Sequence, residues 1–141
     1  MKLSRYTDYA LRVMIFLAGR QEGLASIRQI AEGYGISQNH LMKIVQDLGR
    51  AGFVETVRGR GGGLRLARPP QQINLGALVR QTERQEGLVD CSTCRVAGTC
   101  GLPAILSEAH EAFLHVLDRY TLADICGAPG LVAALFDLPA A

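Results

Sequence analysis

"SQNHLMKIVQDLGRAGFVETVRGRGGGLRLA", residues 37–67, decides the fold. Ser37 is of a type favoured at helix N-caps, and Leu41, Ile44, Val45 and Leu48 then recur at the three- and four-residue spacing of one buried helix face. Gly49 and Gly52 mark the exit from that helix. "FVETV" alternates as a strand, "RGRGGG" reads as a loop and "LRLA" alternates again, so a β-hairpin follows the helix. Upstream, Ser26 caps "IRQIAEGYG", where Ile27, Ile30 and Ala31 face inward and Gly33 and Gly35 break the helix. Two short helices joined by a tight glycine-containing turn make a helix-turn-helix, and the hairpin is its wing.

Working outward, residues 4–19 place Tyr6, Ala10, Val13, Met14, Leu17 and Ala18 on one face of a first helix. Pro69 and Pro70 close the wing, and a short helix near "LGALVRQTE" follows. In "AILSEAHEAFLHVLDRY", Ile105, Ala109, Ala112, Phe113, Val116, Leu117 and Tyr120 repeat at helical spacing over about four turns. So broad an apolar stripe implies a seam between two copies. The predicted fold is therefore mainly α with a small β-hairpin. It comprises a winged helix-turn-helix DNA-binding domain over 1–84, a cysteine-rich loop over 85–103, a dimerisation helix over 104–122 and a C-terminal tail over 123–141.

Composition narrows the function. No run approaches the roughly 20 apolar residues that cross a bilayer, so no membrane partner is expected. "MKLSRYTDYALRVMIFLAG" has the outline of a signal peptide, but Asp8 and Arg12 interrupt its apolar run, and the chain reads as cytoplasmic. The net charge of +2 divides unevenly. Residues 1–84 carry thirteen Lys and Arg against six Asp and Glu, while residues 85–141 carry two against seven. The basic half suits a polyanion.

On a winged helix-turn-helix the second helix enters the major groove and the wing reaches the backbone or minor groove. Gln38 and Asn39 suit adenine, His40 a phosphate or base edge, and Lys43 guanine or phosphate, with Ser37 opening the same face. Arg58 and Arg60, among the four glycines of the tip, suit a narrow minor groove. These seven residues are the candidate DNA-binding set. No Ser/His/Asp or paired-carboxylate constellation appears, and His40, His110 and His115 are scattered, so an enzyme is not expected.

Three of the four cysteines crowd into "DCSTCRVAGTC", residues 90–100. Cys91, Cys94 and Cys100 do not form the double CxxC of a zinc ribbon, so tetrahedral zinc would need a fourth ligand from elsewhere. An iron–sulfur cluster accepts three thiolates and one other side chain. A reversible disulfide is the third reading, with Arg95 available to lower a thiol pKa, although it leaves one cysteine unused. Cys126 reads as a partly buried bystander.

"LSRYTDYALRVMIFLA", "IAEGYGISQNHLMKIVQDLGRAGFVETVRGRGGGLRLA", the three-cysteine loop and "FLHVLDRYTLADI" together resemble the IscR-type winged-helix iron–sulfur transcriptional regulators of bacteria, and most nearly their nitric-oxide-sensing repressors. The resemblance covers nearly the whole chain. It implies a homodimer that binds operator DNA and releases it on meeting nitric oxide, with oxygen or iron–sulfur supply as the alternative signals. It also implies one cluster per subunit, held by Cys91, Cys94, Cys100 and Asp8 contributed from the partner subunit. Three sulfurs and one oxygen suit a 4Fe-4S cluster, with 2Fe-2S left open. Other branches place a histidine just after the third cysteine, whereas "GLPAILS" has none. The Cys94–Cys100 interval matches the family's pattern, and the Cys91–Cys94 interval is shorter than its usual one. Within its own helix Asp8 also stands four residues before Arg12, the spacing of an intrahelical ion pair.

Overall fold

The computed structural model describes residues 1–20, 22–84, 86–128 and 130–136. Among these residues the elements follow in the order α1 (Arg5–Gly19), α2 (Ile27–Tyr34), α3 (Gln38–Arg50), β1 (Val54–Val57), β2 (Gly63–Leu66), α4 (Leu75–Thr82), α5 (Leu102–Leu117), α6 (Leu122–Cys126) and α7 (Leu131–Phe136), with a 3-10 turn at Pro70–Gln72.

Local chemistry sets the boundaries. Ser26 and Gln29 form a reciprocal capping box at the start of α2, and Gly35 ends that helix at φ +64°, a left-handed conformation that favours glycine. Ser37 holds the N-cap position of α3 as expected, but its side chain makes no capping hydrogen bond. The strands β1 and β2 pair antiparallel, with Val54 opposite Leu66 and Val57 opposite Gly63. Ala25, between α1 and α2, exchanges two backbone hydrogen bonds with Leu64, of 2.9 and 2.7 Å, which fastens the wing to the helical layer.

The core gathers the predicted faces. Ala10, Val13, Met14 and Leu17 of α1 meet Ile30 and Ala31 of α2, the Leu41, Ile44, Val45 and Leu48 stripe of α3, and Val54 and Leu64 of the wing. Tyr6 and Ala18 are only partly buried and flank this core, while Thr7 and Phe16, which the apolar spacing does not single out, are buried. Burial of Thr7 is chemically compensated. Its hydroxyl donates to Glu83, whose carboxylate also accepts the Ser4 backbone N–H and hydroxyl, so the end of α4 ties down the start of α1.

The C-terminal third differs from its expected outline. The helix foreseen over 104–122 runs over Leu102–Leu117, and a capping box between Thr121 and Asp124 starts α6. Instead of a plain tail after residue 122, α6 and α7 pack on α1, with Leu122 fully buried; residues 137–141 lie outside the described residues. By contrast α5 buries only Leu114. Ile105, at 64% exposure, together with Leu102, Val116 and Tyr120, presents an uncovered apolar face.

Candidate DNA-reading face and cysteine loop

The buried stripe of α3 dictates what its other face can do. With Leu41, Ile44, Val45 and Leu48 turned inward, Gln38, Asn39, His40 and Lys43 are all exposed along the opposite side, and Ser37 is exposed at its start. The Tyr9 ring of α1 lies 6.4 Å from the His40 ring, backing the helix from behind. Tyr6 of α1 donates its hydroxyl to Asp47 of α3, a second brace between the two helices. Burial, reinforced by Asp47, pushes the Tyr6 pKa up to about 12.

At the wing tip Arg58 and Arg60 are exposed. Among the described residues neither they nor Lys43 takes part in an ion pair, so their charges are free for a polyanion. The tip is shaped by glycine where nothing larger fits. A Cβ on Gly62 would stand 2.3 Å from the Val57 carbonyl oxygen. Lower on the hairpin, Arg65 pairs with Glu55 at 2.8 Å and is a strand contact.

Between α4 and α5 the chain forms a series of turns. The Asp90 carboxylate accepts the Ser92 backbone N–H at 2.9 Å, and hydrogen bonding from Ser92 holds the Asp90 carboxyl below its ordinary pKa. Backbone N–H groups of Cys94, Ala97 and Cys100 donate to Cys91, Cys94 and Val96 carbonyls at 3.2, 3.3 and 2.9 Å. All three loop thiols are free; Cys94 and Cys100 are exposed and Cys91 partly so. The Leu102 N–H points at Cys100 Sγ from 3.5 Å, at the start of α5 with Pro103 in its first turn.

Asp8 sits on α1 and is engaged with Arg12, which donates from Nε and Nη2 to its two carboxylate oxygens, both at 3.1 Å. Arg12 also lies over the Tyr34 ring at 5.7 Å, where α2 ends and the turn into α3 begins. A groove of about 680 Å³ runs beside this pair, lined by Lys2, Arg5, Tyr9 and Ile36 among others. Among the described residues no three His, Cys, Asp or Glu side chains converge to hold a metal ion. One chain therefore gathers neither the thiols nor Asp8 into a finished site. The donor chemistry nonetheless fits iron: three free sulfurs on a loop of turns, one already facing a backbone N–H, are suited to thiolate ligation.

Sequence reading missed three features. Arg12 links Asp8 to the helix-turn-helix turn, and only its spacing from Asp8 hinted at half of that contact. The Glu83 clamp on Ser4 and Thr7, and the pairing of Arg80 with Asp118, join residues distant in sequence and leave no local signal. Cys126, by contrast, is partly buried as the sequence implied, and burial raises its thiol pKa.

A helix-turn-helix with a basic wing, an exposed polar reading helix and a loop of free thiols at the root of an uncovered helical arm define a winged-helix transcription regulator with a cysteine-rich loop. The family model for Rrf2, described as iron-dependent transcriptional regulator, matches residues 3–128, and the chain belongs to this family. It is 53% identical over 131 residues to the HTH-type transcriptional regulator NsrR of Bacillus subtilis (strain 168), covering 89% of this chain and 90% of that one. Among solved structures it is similar to T. potens IscR, with TM-score 0.73 and 30% identity over 90% of this chain and 87% of the other. It is also similar to CymR (YrzC), the global cysteine regulator of B. subtilis, with TM-score 0.68 and 31% identity over 90% and 97% of the two chains. The chain is a DNA-binding transcriptional regulator and not an enzyme. No helix among the described residues is long and apolar enough to cross a membrane.

Proposed function

We propose that this regulator represses transcription as a homodimer whose hold on operator DNA depends on an iron–sulfur cluster, and that nitric oxide is its signal. The observation that carries the reading is the set of three free thiols at the root of the uncovered arm α5. Cys91, Cys94 and Cys100 would hold the cluster, 4Fe-4S by donor count, with Asp8 of the second subunit as the oxygen ligand. When bound, such a cluster supplies iron that reacts with nitric oxide. The exposed apolar face of α5, from Ile105 to Tyr120, supports pairing with a second copy.

The chain's own residues connect ligand and reader. Asp8 holds Arg12, Arg12 covers Tyr34, and Tyr34 ends α2 at the turn from which α3 departs. Drawing Asp8 towards the loop of the other subunit alters what Arg12 holds at that turn. Gln38, Asn39, His40 and Lys43, with Ser37, read the major groove, while Arg58 and Arg60 hold the minor groove or backbone. Two such heads on one dimer suit a palindromic operator with half-sites about one helical turn apart.

An anaerobic absorption spectrum with iron and sulfide analysis, followed through a nitric oxide titration while DNA binding is monitored, tests this reading. A visible band that bleaches as DNA is released is the expected result. A colourless, iron-free protein that binds DNA and answers to dithiol reductant would replace the cluster with a thiol switch.

A further inference from the structure

The outward face of α3 contains one residue that its polar neighbours do not explain. Met42 is 56% exposed in the middle of the helix, one turn after Gln38 and one turn before Gln46, with Lys43 beside it. Among the described residues nine other large apolar side chains share such exposure, and each lies elsewhere: Met1 and Leu3 at the N-terminus, Leu88 and Val96 around the cysteine loop, Leu102, Ile105, Val116 and Tyr120 on α5 and after it, and Ile125 on α6. Those on α5 have a second copy to meet. Met42 alone stands on the DNA-reading face.

Exposing an apolar side chain to water is unfavourable, and methionine there adds nothing to phosphate affinity. In the major groove one base presents an apolar group: thymine, through its C5-methyl. A flexible, polarisable thioether adapts well to such a contact. We infer that Met42 is a specificity-determining residue of this regulator, packing on a thymine methyl between the bases reached by the polar residues of α3. The inference rests on α3 being the reading helix, and its test separates the two.

The test uses the full-length dimer in its DNA-binding form and duplexes that it selects from a random-sequence pool. Each thymine of a selected site is replaced in turn, in both half-sites, by deoxyuridine, which removes only the C5-methyl. The native protein should lose about fourfold in affinity per half-site at one thymine position, the worth of one buried methyl at ~0.8 kcal/mol. Met42→Ala should bind more weakly and stop distinguishing thymine from uracil there, while Met42→Leu keeps the preference. Since the side chain is exposed, these variants should melt at the native temperature. If Met42→Ala keeps full thymine preference at every position while Gln38→Ala or Lys43→Ala weakens binding, α3 is the reader but Met42 reads no methyl. If Gln38→Ala and Lys43→Ala also bind normally, the assignment of α3 fails and the inference fails with it.

Discussion

Arg80 of α4 grips Asp118, the residue that ends α5, with two hydrogen bonds from one guanidinium to one carboxylate, of 2.5 and 2.8 Å. The Asn74 side chain adds a hydrogen bond to the Asp118 carbonyl at 2.7 Å, so the arm is fastened to the winged-helix domain at its C-terminal end. Gly76 makes room for this. A Cβ there would stand 1.9 Å from Asp118 Oδ1 and 2.9 Å from Arg80 Nη1.

Gly76→Ala should therefore displace the Asp118 side chain and open the pair. Because the obstructing atoms are side-chain ends, and because alanine favours the helix by about 1 kcal/mol over glycine, the net stability at neutral pH should change little. The acid limb should change more. Arg80 holds the Asp118 carboxyl below its ordinary pKa, so the pair stabilises the fold above the unfolded-state value, near 3.9, and that contribution fades as pH falls through the lower folded value. Urea denaturation followed from neutral pH to pH 3 should show a shallower acid decline in Gly76→Ala and Asp118→Asn than in the native protein. Equal slopes would remove Gly76 and Asp118 from the clamp.

The tyrosines give the opposite sign. Burial, with the Asp47 hydrogen bond behind it, raises the Tyr6 pKa to about 12, and burial raises that of Tyr34 to about 12 against the nearby Arg12 cation. Unfolded tyrosine ionises near 10, so the stability these groups provide is complete below about pH 10 and is lost as pH rises towards 12. An ultraviolet titration should show Tyr6 and Tyr34 ionising late. Tyr6→Phe should remove one of these and cost roughly 1 kcal/mol through the lost brace on α3.

What the sequence disclosed follows from interaction range. The α3 stripe, the Ser26 cap of α2 and the "RGRGGG" tip are written in residues a few positions apart, and the structure matches them. The Ile105–Tyr120 stripe was equally legible because helical period is local, although a single chain leaves that face uncovered. Contacts between distant segments had no such trace. Glu83 on Thr7 spans 76 positions and Arg80 on Asp118 spans 38, and neither side of either pair breaks a local pattern. The break at Leu117 was missed because Val116, Leu117 and Tyr120 continue the apolar spacing through a turn, which Thr121 and Asp124 then convert into a fresh helix start.

The four cysteines should divide by reactivity. Cys94 and Cys100 are exposed in the loop, whereas Cys126 is partly buried and its thiol pKa is pushed up, leaving less thiolate at neutral pH. Brief treatment of cluster-free protein with iodoacetamide, followed by peptide mass spectrometry, should mark Cys94 and Cys100 first and Cys126 last. Substituting Cys126 by alanine should leave iron and sulfide content unchanged, while Cys100→Ala should abolish it. Equal labelling of all four would mean that burial leaves Cys126 no less reactive than the loop thiols.

The wing separates charge from shape. Arg58 and Arg60 are exposed and without ion pairs among the described residues, so each can neutralise one phosphate and release its counterion. Replacing either by alanine should reduce the slope of log affinity against log salt by about 1 and weaken all sequences alike. Gly62→Ala keeps both charges but brings a Cβ within 2.3 Å of the Val57 carbonyl and 2.8 Å of the Gly59 carbonyl, backbone atoms that cannot turn aside as a side chain can. The tip must rebuild, carrying both arginines away from their positions. Its salt slope should fall by about 2, the sum of the two single-arginine effects, while thymine preference in the major groove survives. A native slope in Gly62→Ala would mean that the wing arginines act through net charge, with no need for the tip's geometry.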